Sequence, residues 1–249
     1  MAGGAQAGVP SAAGLLAAAG LAGTAGWVDA AALLGLHAFV ANMTGAVVML
    51  GLAAGEGDWA GAGRHVGTVL SFLAGVVLSR LLRRLGHGPA PSYALSAALV
   101  AACMGPAGAG HLGITLLAVA MGVQNAAGTV FGGVGLNTVF MTGNLQRLGE
   151  AMADPGKPGA TRRFALGLLP SALVAYALGA AAGGLAMRHL AQPLLPPALA
   201  LAAASGIALA RARPARMGAG THFGSAPPSA PPLEAAATAA VPAGRTPPR

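Results

Sequence analysis

Long apolar segments with very few charges are the feature that most limits what this chain can fold into. Of its 249 residues, 55% are apolar and only 8% are charged, whereas a soluble domain carries about 25% charged residues. A helix of about 20 apolar residues crosses the ~30 Å hydrocarbon layer of a bilayer. The sequence therefore predicts an all-α, polytopic transmembrane helix bundle whose surroundings are the lipid bilayer.

Eight apolar segments can be counted, and they fall into three groups by length and polarity. Four reach the length needed to cross: 12–36, 66–82, 111–131 and 164–187. Two are shorter but can still span: 91–107 and 194–210. The last two, 40–55 and 137–152, are short and partly polar, so we expect them to dip into the bilayer and return, or to lie within the protein.

The positions of the basic residues favour six crossings over eight. With six crossings, only Arg64 and Arg188 lie opposite a face that carries Arg80, Arg83, Arg84, Arg147, Lys157, Arg162, Arg163, Arg211, Arg213 and Arg216. With eight crossings, the first three of that group are separated from the others. Because Lys and Arg concentrate on the cytoplasmic side, we expect six crossings in the cell membrane, with both termini cytoplasmic.

A polar motif occurs twice in this apolar chain, about a hundred residues apart. Residues 26–45 read GWVDAAALLGLHAFVANMTG, and residues 122–143 read GVQNAAGTVFGGVGLNTVFMTG. The duplication predicts two related halves, residues 12–107 and 108–212. With three crossings in each half, the halves are inverted relative to each other, as in many transporters. With four crossings in each half, they are parallel, and the sequence leaves that alternative open.

Asp29 in the first motif is an acid inside a long apolar run, and Asn125 takes its place in the second. A charge at the bilayer centre costs roughly 2.5–3.5 kcal/mol, so we expect Asp29 to face the bundle interior. It is either a proton or cation site or a hydrogen-bonding group that ties two helices together. Asn125, with Gln124 beside it, keeps the hydrogen bonding and removes the charge.

Each motif closes on Met-Thr-Gly, and we expect Gly45 and Gly143 to break the helix there. A broken helix in lipid leaves backbone groups that need protein, water or ligand partners. The predicted solute-binding set comprises Asp29, Asn42, Thr44, Gln124, Asn125, Thr142 and Asn144. The alternative is that the Thr and Asn side chains only cap helix starts.

The rest of the sequence carries no catalytic, cofactor or metal motif. Six histidines are scattered without metal-ligand spacing, and the single Cys103 cannot form an internal disulfide. We therefore expect no enzymatic activity, no cofactor and no metal. The net charge of +8 is assigned to lipid head groups rather than to nucleic acid. Residues 1–11 and 213–249 are predicted to be disordered, the latter as a cytoplasmic tail, and self-association stays open.

The pair of motifs resembles the YoaK-type family of small bacterial integral membrane proteins, a domain of unknown function. The resemblance rests on GWVDA…FVANMTGAVVMLGLA followed by MGVQNAA…LNTVFMTGNLQRLGEAM and covers roughly residues 15–210. It implies a polytopic protein with about six crossings and no established substrate. The family usually has Asn after the first Thr-Gly, where this chain has Ala46, whereas the second copy keeps Asn144.

Two functions follow from these patterns. The first is a small-solute or ion transporter, or permeation protein, with a polar site at the midplane of the membrane. The second is a membrane scaffold or partner-binding subunit that transports nothing and uses the motif only for helix packing. An enzyme acting on lipid is a weaker third option, because no paired catalytic groups occur.

Overall fold

The protein is almost entirely helical in the computed structural model, which describes residues 12–105, 108–131, 134–153 and 159–218. The helices are α1 Ala12–Leu36, α2 Met43–Gly55, α3 Trp59–Arg84, α4 Ala90–Ala102, α5 Gly110–Ala127, α6 Met141–Ala153, α7 Gly159–His189 and α8 Leu195–Gly218. A short antiparallel pair, β1 Val130–Phe131 and β2 Val134–Gly135, follows α5. The predicted helical bundle is confirmed, and the pair of short strands is an addition to it.

Four helices within the described residues are long and apolar enough to cross a membrane. Their apolar parts are Ala12–Leu36, Trp59–Arg84, Arg162–His189 and Leu195–Ala212. The helix α5 has 18 residues and packs with many buried side chains in the interior. The helix α4 has only 13 residues and rises about 20 Å. It ends at Ala102 rather than at the predicted residue 107, because a proline at position 106 disfavours helix at the residue before it.

The two short polar segments form the two short helices that precede α3 and α7. The segment predicted at 40–55 is α2, and the segment predicted at 137–152 is α6, each with 13 residues. The predicted disordered N-terminus, residues 1–11, lies outside the described residues. Contacts divide the chain into residues 1–212 and 213–249. Of the second unit the structure describes 213–218, which continue α8 to Gly218; the predicted tail from 219 onward lies outside the described residues.

The longest helix contact joins α1 and α7, which run in the same direction. Gly23 faces the carbonyl oxygen of Ala175, and Gly35, later in α1, faces the side chain of Met187, later in α7. Gly26 lies against the carbonyl oxygen of Tyr176. Since residue numbers rise together along both helices, the two are parallel, and glycine lets their backbones approach closely.

A second pair, α3 and α5, is also parallel and also meets at glycines. Gly75 of α3 lies against the carbonyl of Val119, and Gly122 of α5 lies against the carbonyl of Phe72. Near the ends of the same two helices, Nη1 of Arg83 donates to the carbonyl oxygen of Ala127 at 3.1 Å.

The remaining contacts divide the six longer or central helices into two opposite directions. The start of α1 surrounds one cavity together with the ends of α3, α5 and α8, so α1 is antiparallel to these three. Ser96 of α4 donates to the carbonyl of Ala120 at 2.9 Å, and Cys103 lies 3.8 Å from the carbonyl oxygen of Gly113. Because the numbers rise along α4 as they fall along α5, these two are antiparallel. Helices α1, α4 and α7 therefore run one way, and α3, α5 and α8 the other.

We expect the substitutions Gly26→Ala and Gly122→Ala to loosen the two helix pairs. A Cβ atom at either position overlaps a backbone carbonyl of the neighbouring helix, and overpacking of this kind costs about 1–3 kcal/mol. The melting temperature in detergent, followed by size-exclusion chromatography, should fall for both variants. Gly67→Ala is the matched control, since a Cβ there meets nothing within 4 Å. An equal fall in the control would contradict this account of the packing.

Candidate functional site

The carboxylate of Asp29 is the centre of a buried polar cluster, with only 3% of the residue exposed. Its Oδ1 accepts the backbone N–H groups of Val40 and Ala41, each at 2.8 Å. Its Oδ2 accepts the N–H of Asn42 at 3.0 Å and the hydroxyl of Tyr176 at 2.7 Å. An ionised carboxylate offers about four acceptor sites, and four donors occupy them. We call this group of five residues the Asp29 clasp.

The clasp arises because the chain reverses direction after α1. Helix α1 ends at Leu36, and His37 has a φ of 54°, a left-handed conformation that turns the chain back. Ala38, Val40 and Ala41 are fully buried on the return path. Their region precedes α2, so no helix supplies partners for the N–H groups of residues 40–42. The carboxylate of Asp29 accepts these N–H groups, because the lipid bilayer offers no acceptor for them.

Asn42 also caps the start of α2, as the alternative in the sequence analysis proposed. Its Oδ1 accepts the N–H of Gly45 at 3.2 Å, which satisfies one of the unpaired donors of the first turn. Gly45 lies inside that first turn, and a Cβ there would come within 2.7 Å of a ring carbon of Phe39. The glycine therefore serves ring packing, and the break in the helix precedes it. Thr44 is exposed.

The loop before α6, in the second motif, is held by hydrogen bonds between residues that are close in sequence. Oδ1 of Asn137 accepts the N–H groups of Val139 at 3.0 Å and Phe140 at 2.8 Å. Asn144, only 1% exposed, accepts the N–H of Asn137 at 3.1 Å and donates to its carbonyl oxygen. Asn144 thus holds the loop, whereas Ala46 occupies the matching position of the first motif. Thr142 is exposed, and Gly143 also lies inside the first turn of its helix.

Asn137 was missed by the sequence analysis, although a signal for it exists. An Asn shortly before an apolar helix start is a common partner for free backbone N–H groups. Arg147 was missed as well, and its Nη1 donates to the carbonyl of Gly135 at 2.9 Å. This contact fixes α6 against the hairpin.

Three buried oxygen atoms around α5 and its following loop have no hydrogen-bond partner among the described residues. They are Oε1 of Gln124, Oδ1 of Asn125 and Oγ1 of Thr138. The amide nitrogen of Gln124 donates to the carbonyl of Leu21 in α1 at 2.8 Å. Asn125 therefore does not bind its loop as Asp29 does, and the interior of the second half has unused acceptors. A buried acceptor without a partner costs about 1–3 kcal/mol.

The predicted solute-binding residues do not form one hydrogen-bonded cluster within the described part of the chain. Asp29 and Asn42 belong to the clasp, Asn144 belongs to the local loop of the second half, and Gln124 bridges α5 and α1. No group of three His, Cys, Asp or Glu side chains that could hold a metal ion occurs among the described residues.

A cavity of about 870 Å³ lies between α1, α4, α5 and α8. It extends along α1 from Ala13 to Thr24, a rise of about 16 Å. Its lining contains Leu21, whose carbonyl oxygen binds Gln124. Leu21 thus connects the cavity to Gln124, which does not itself line it. The sequence gives no signal for this cavity, because its lining residues come from five helices and β1 and are far apart in the chain.

We expect Tyr176→Phe to destabilise the protein by about 1 kcal/mol, because it removes one of the four donors to Asp29. Asp29→Asn should cost more, because the amide nitrogen is itself a donor and replaces a carboxylate oxygen that accepts backbone N–H groups. Both effects are measured as melting temperatures in detergent. Tyr93→Phe is the matched control, as no hydrogen bond of its hydroxyl occurs among the described residues. Equal melting temperatures for Tyr176→Phe and the parent would show that the clasp contributes nothing.

Comparison with known proteins agrees with a membrane location. A curated relative, the UPF0700 transmembrane protein YoaK of Bacillus subtilis (strain 168), is 31% identical over 128 residues, which cover 46% of this chain and 56% of the relative. The chain thus spans little more than half the length of that relative. No solved structure matches the chain significantly.

The family comparison covers most of the chain. The family model for the protein of unknown function DUF1275 matches residues 17–207, a range that holds both copies of the motif and the starts of helices α2 to α8. The resemblance to YoaK-type proteins is thereby confirmed, and the chain belongs to the DUF1275 family of transmembrane proteins.

Proposed function

We propose that this protein moves a small solute or ion across the membrane through a bundle of six crossings. The directions of the helices support this number. Along the chain, α1, α3, α4, α5, α7 and α8 alternate in direction, as six successive crossings would. The two short helices α2 and α6 are not among these six crossings, which agrees with segments that enter the membrane and return to the same side.

Two inverted halves are the second part of the proposal. Gly26 of α1 and Gly122 of α5 occupy the same place in the two motifs. Gly26 lies against a carbonyl of α7, and Gly122 lies against a carbonyl of α3. Gly179 and Gly75 make the reciprocal contacts, against Gly23 and Val119, which both lie three residues before the motif glycine. The helix pairs α1–α7 and α5–α3 therefore meet in the same register. Because α1 is antiparallel to α5, this equivalence supports an inverted repeat.

The orientation that we propose follows from the basic residues. With the directions above, the ends of α3 and α8 and the start of α7 lie at one face, and these carry Arg83, Arg84, Arg162, Arg163 and Arg211. Arg64 and Arg188 lie at the opposite ends of α3 and α7. Because basic residues favour the cytoplasmic side, we propose a cell-membrane protein whose two termini are cytoplasmic.

Cysteine labelling tests this orientation. Cys103 is the only cysteine, so a Cys103→Ala background allows single new cysteines to be read separately. Arg83→Cys and Arg162→Cys should react with a membrane-impermeant reagent only after the cells are opened. Arg188→Cys is the control for the other face and should react in intact cells. Labelling of Arg83→Cys and Arg162→Cys on opposite sides would contradict six crossings.

Transport is supported above all by the buried oxygen of Gln124, which has no partner among the described residues. Gln124 has 0% exposure and an unused acceptor, and its amide nitrogen donates to Leu21, which lines a cavity that extends to the basic face. The cavity is lined by α1, α3 and α4 from residues 12–107 and by α5, β1 and α8 from residues 108–212. Transporters with two inverted halves bind their solute between the halves.

The second candidate, a scaffold without transport, is favoured by Asp29. Its carboxylate oxygens are fully used by four protein donors, so a solute cannot bind there unless a donor is released. In a scaffold, the clasp would serve only to hold α1, α7 and the loop before α2 together. Neither candidate includes an enzymatic activity.

Flux into proteoliposomes separates the two candidates. A panel of labelled small anions, cations and neutral solutes should include at least one that enters faster than into empty vesicles. Gln124→Leu should reduce that flux about 5- to 100-fold, because it removes a hydrogen-bonding group worth about 1–3 kcal/mol. Gln146→Leu is the matched control, since Gln146 is exposed on α6.

Either of two results would overturn transport. One is a panel in which no solute moves, together with a partner protein that co-purifies in fixed stoichiometry. The other is an equal flux in Gln124→Leu and Gln146→Leu, which would remove the amide from the pathway.

A further inference from the structure

The charges that line the cavity are of one sign. Arg83 and Arg211 contribute to the lining, and no Asp or Glu of the described residues does. Arg83 uses one N–H on the carbonyl of Ala127, whereas a guanidinium group has five N–H donors. Donors therefore stay available for an anion, and a cation would meet only repulsion.

The two arginines lie at one end of the cavity, and the rest of its wall, within the described residues, is mainly apolar, with hydroxyl groups only on Thr24, Tyr93 and Thr129. Arg83 is near the end of α3 and Arg211 near the end of α8, at the basic face. The wall further in is formed by small and branched apolar side chains, of which Leu21 is buried, whereas Leu16 and Ile207 are 70% and 53% exposed and form its open side. A ligand that fits this arrangement has an anionic end and an apolar body.

Simpler ligands fit the cavity less well. An inorganic anion would pair with the arginines and leave an apolar space of several hundred Å³ in contact with water. A neutral apolar molecule would leave the arginines unused. The volume of about 870 Å³ lies in the range of about 300–1,000 Å³ that is usual for small-molecule sites.

We infer that this cavity binds an amphipathic anion, with its charged group at Arg83 and Arg211 and an apolar chain directed towards Leu21. The inference names the class of solute and rests on the proposed function only for movement across the membrane. A free carboxylate and the phosphate of an anionic lipid share this chemistry. The experiment distinguishes these two sources.

Binding is measured with labelled octanoate on the full-length protein in phosphatidylcholine nanodiscs, with empty discs subtracted. Octylammonium and octanol, which have the same tail and a different head, are the comparison ligands. Octanoate should bind saturably, and the other two should not. Equal binding of all three would show that the arginines select nothing and would overturn the inference.

Charge removal tests the role of the two arginines. Arg83→Gln and Arg211→Gln should each weaken octanoate binding by up to about fivefold, because exposed ion pairs contribute no more than that. Arg80→Gln and Arg84→Gln are matched controls, since both residues are exposed on the same helix and neither lines the cavity. An equal loss of octanoate binding in the two controls would show that the effect comes from the overall charge of the basic face and not from the cavity.

Filling the cavity tests where the chain lies. Gly20 lines the cavity, and a Cβ there meets nothing within 4 Å, so Gly20→Leu adds bulk without a clash. It should reduce octanoate binding at least tenfold. Gly206→Leu is the control, because a Cβ at Gly206 also meets nothing within 4 Å and Gly206 does not line the cavity. Unchanged binding in Gly20→Leu would overturn the assigned position.

Anionic lipid in the disc identifies the source of the ligand. Displacement of octanoate by phosphatidylglycerol supports the site and assigns it to a lipid, and octanoate binding that persists supports a free carboxylate. Specific binding without any flux would overturn the proposed transport alone. Flux of another solute with no octanoate binding would overturn this inference alone.

Discussion

Backbone hydrogen bonds without a helical partner are the constraint on which this structure depends. Inside a bilayer each free N–H costs several kcal/mol, yet the chain interrupts its helices twice within apolar surroundings. The first interruption is stabilised by a carboxylate that accepts three N–H groups and a tyrosine hydroxyl. The second is stabilised by two asparagines that bond to nearby backbone. The position of α2 and α6 in the bundle follows from these two solutions.

The two groups of hydrogen bonds differ in how many helices they connect, so the loops before α2 and α6 are held differently. Asp29 connects the loop before α2 to α1 and α7, so that loop moves only with two long helices. Asn137 and Asn144 bind only within their own loop and helix. Oδ1 of Asn125 has no hydrogen-bond partner among the described residues, whereas its counterpart Asp29 holds the loop before α2. The two copies of the motif thus serve different contacts.

The sequence was sufficient to predict the helical bundle, the bounds of α1 and the interior position of Asp29, because apolar length and the cost of a buried charge are local properties. It was not sufficient to identify Tyr176, which follows Asp29 by 147 residues and resembles any other aromatic residue in a span. The strands β1 and β2 were not predicted, because this glycine-rich segment has no alternating pattern of apolar and polar residues. Gly45 and Gly143 were predicted as helix breaks, yet both lie in first turns. A Cβ at Gly45 would meet the ring of Phe39, whereas a Cβ at Gly143 would meet nothing within 4 Å.

The indole nitrogen of Trp27 donates to the carbonyl of Pro193 at 2.8 Å, across 166 residues of sequence. Helix α1 thus depends on the loop before α8 for one of its polar contacts, and on α7 for the tyrosine that completes the clasp. Until those segments insert, the indole of Trp27 lacks its acceptor, whereas Asp29 already has three of its four donors from residues 40–42. Contacts of such long sequence separation form slowly. The polar contacts of α1 are therefore completed only after residue 193 has been synthesised.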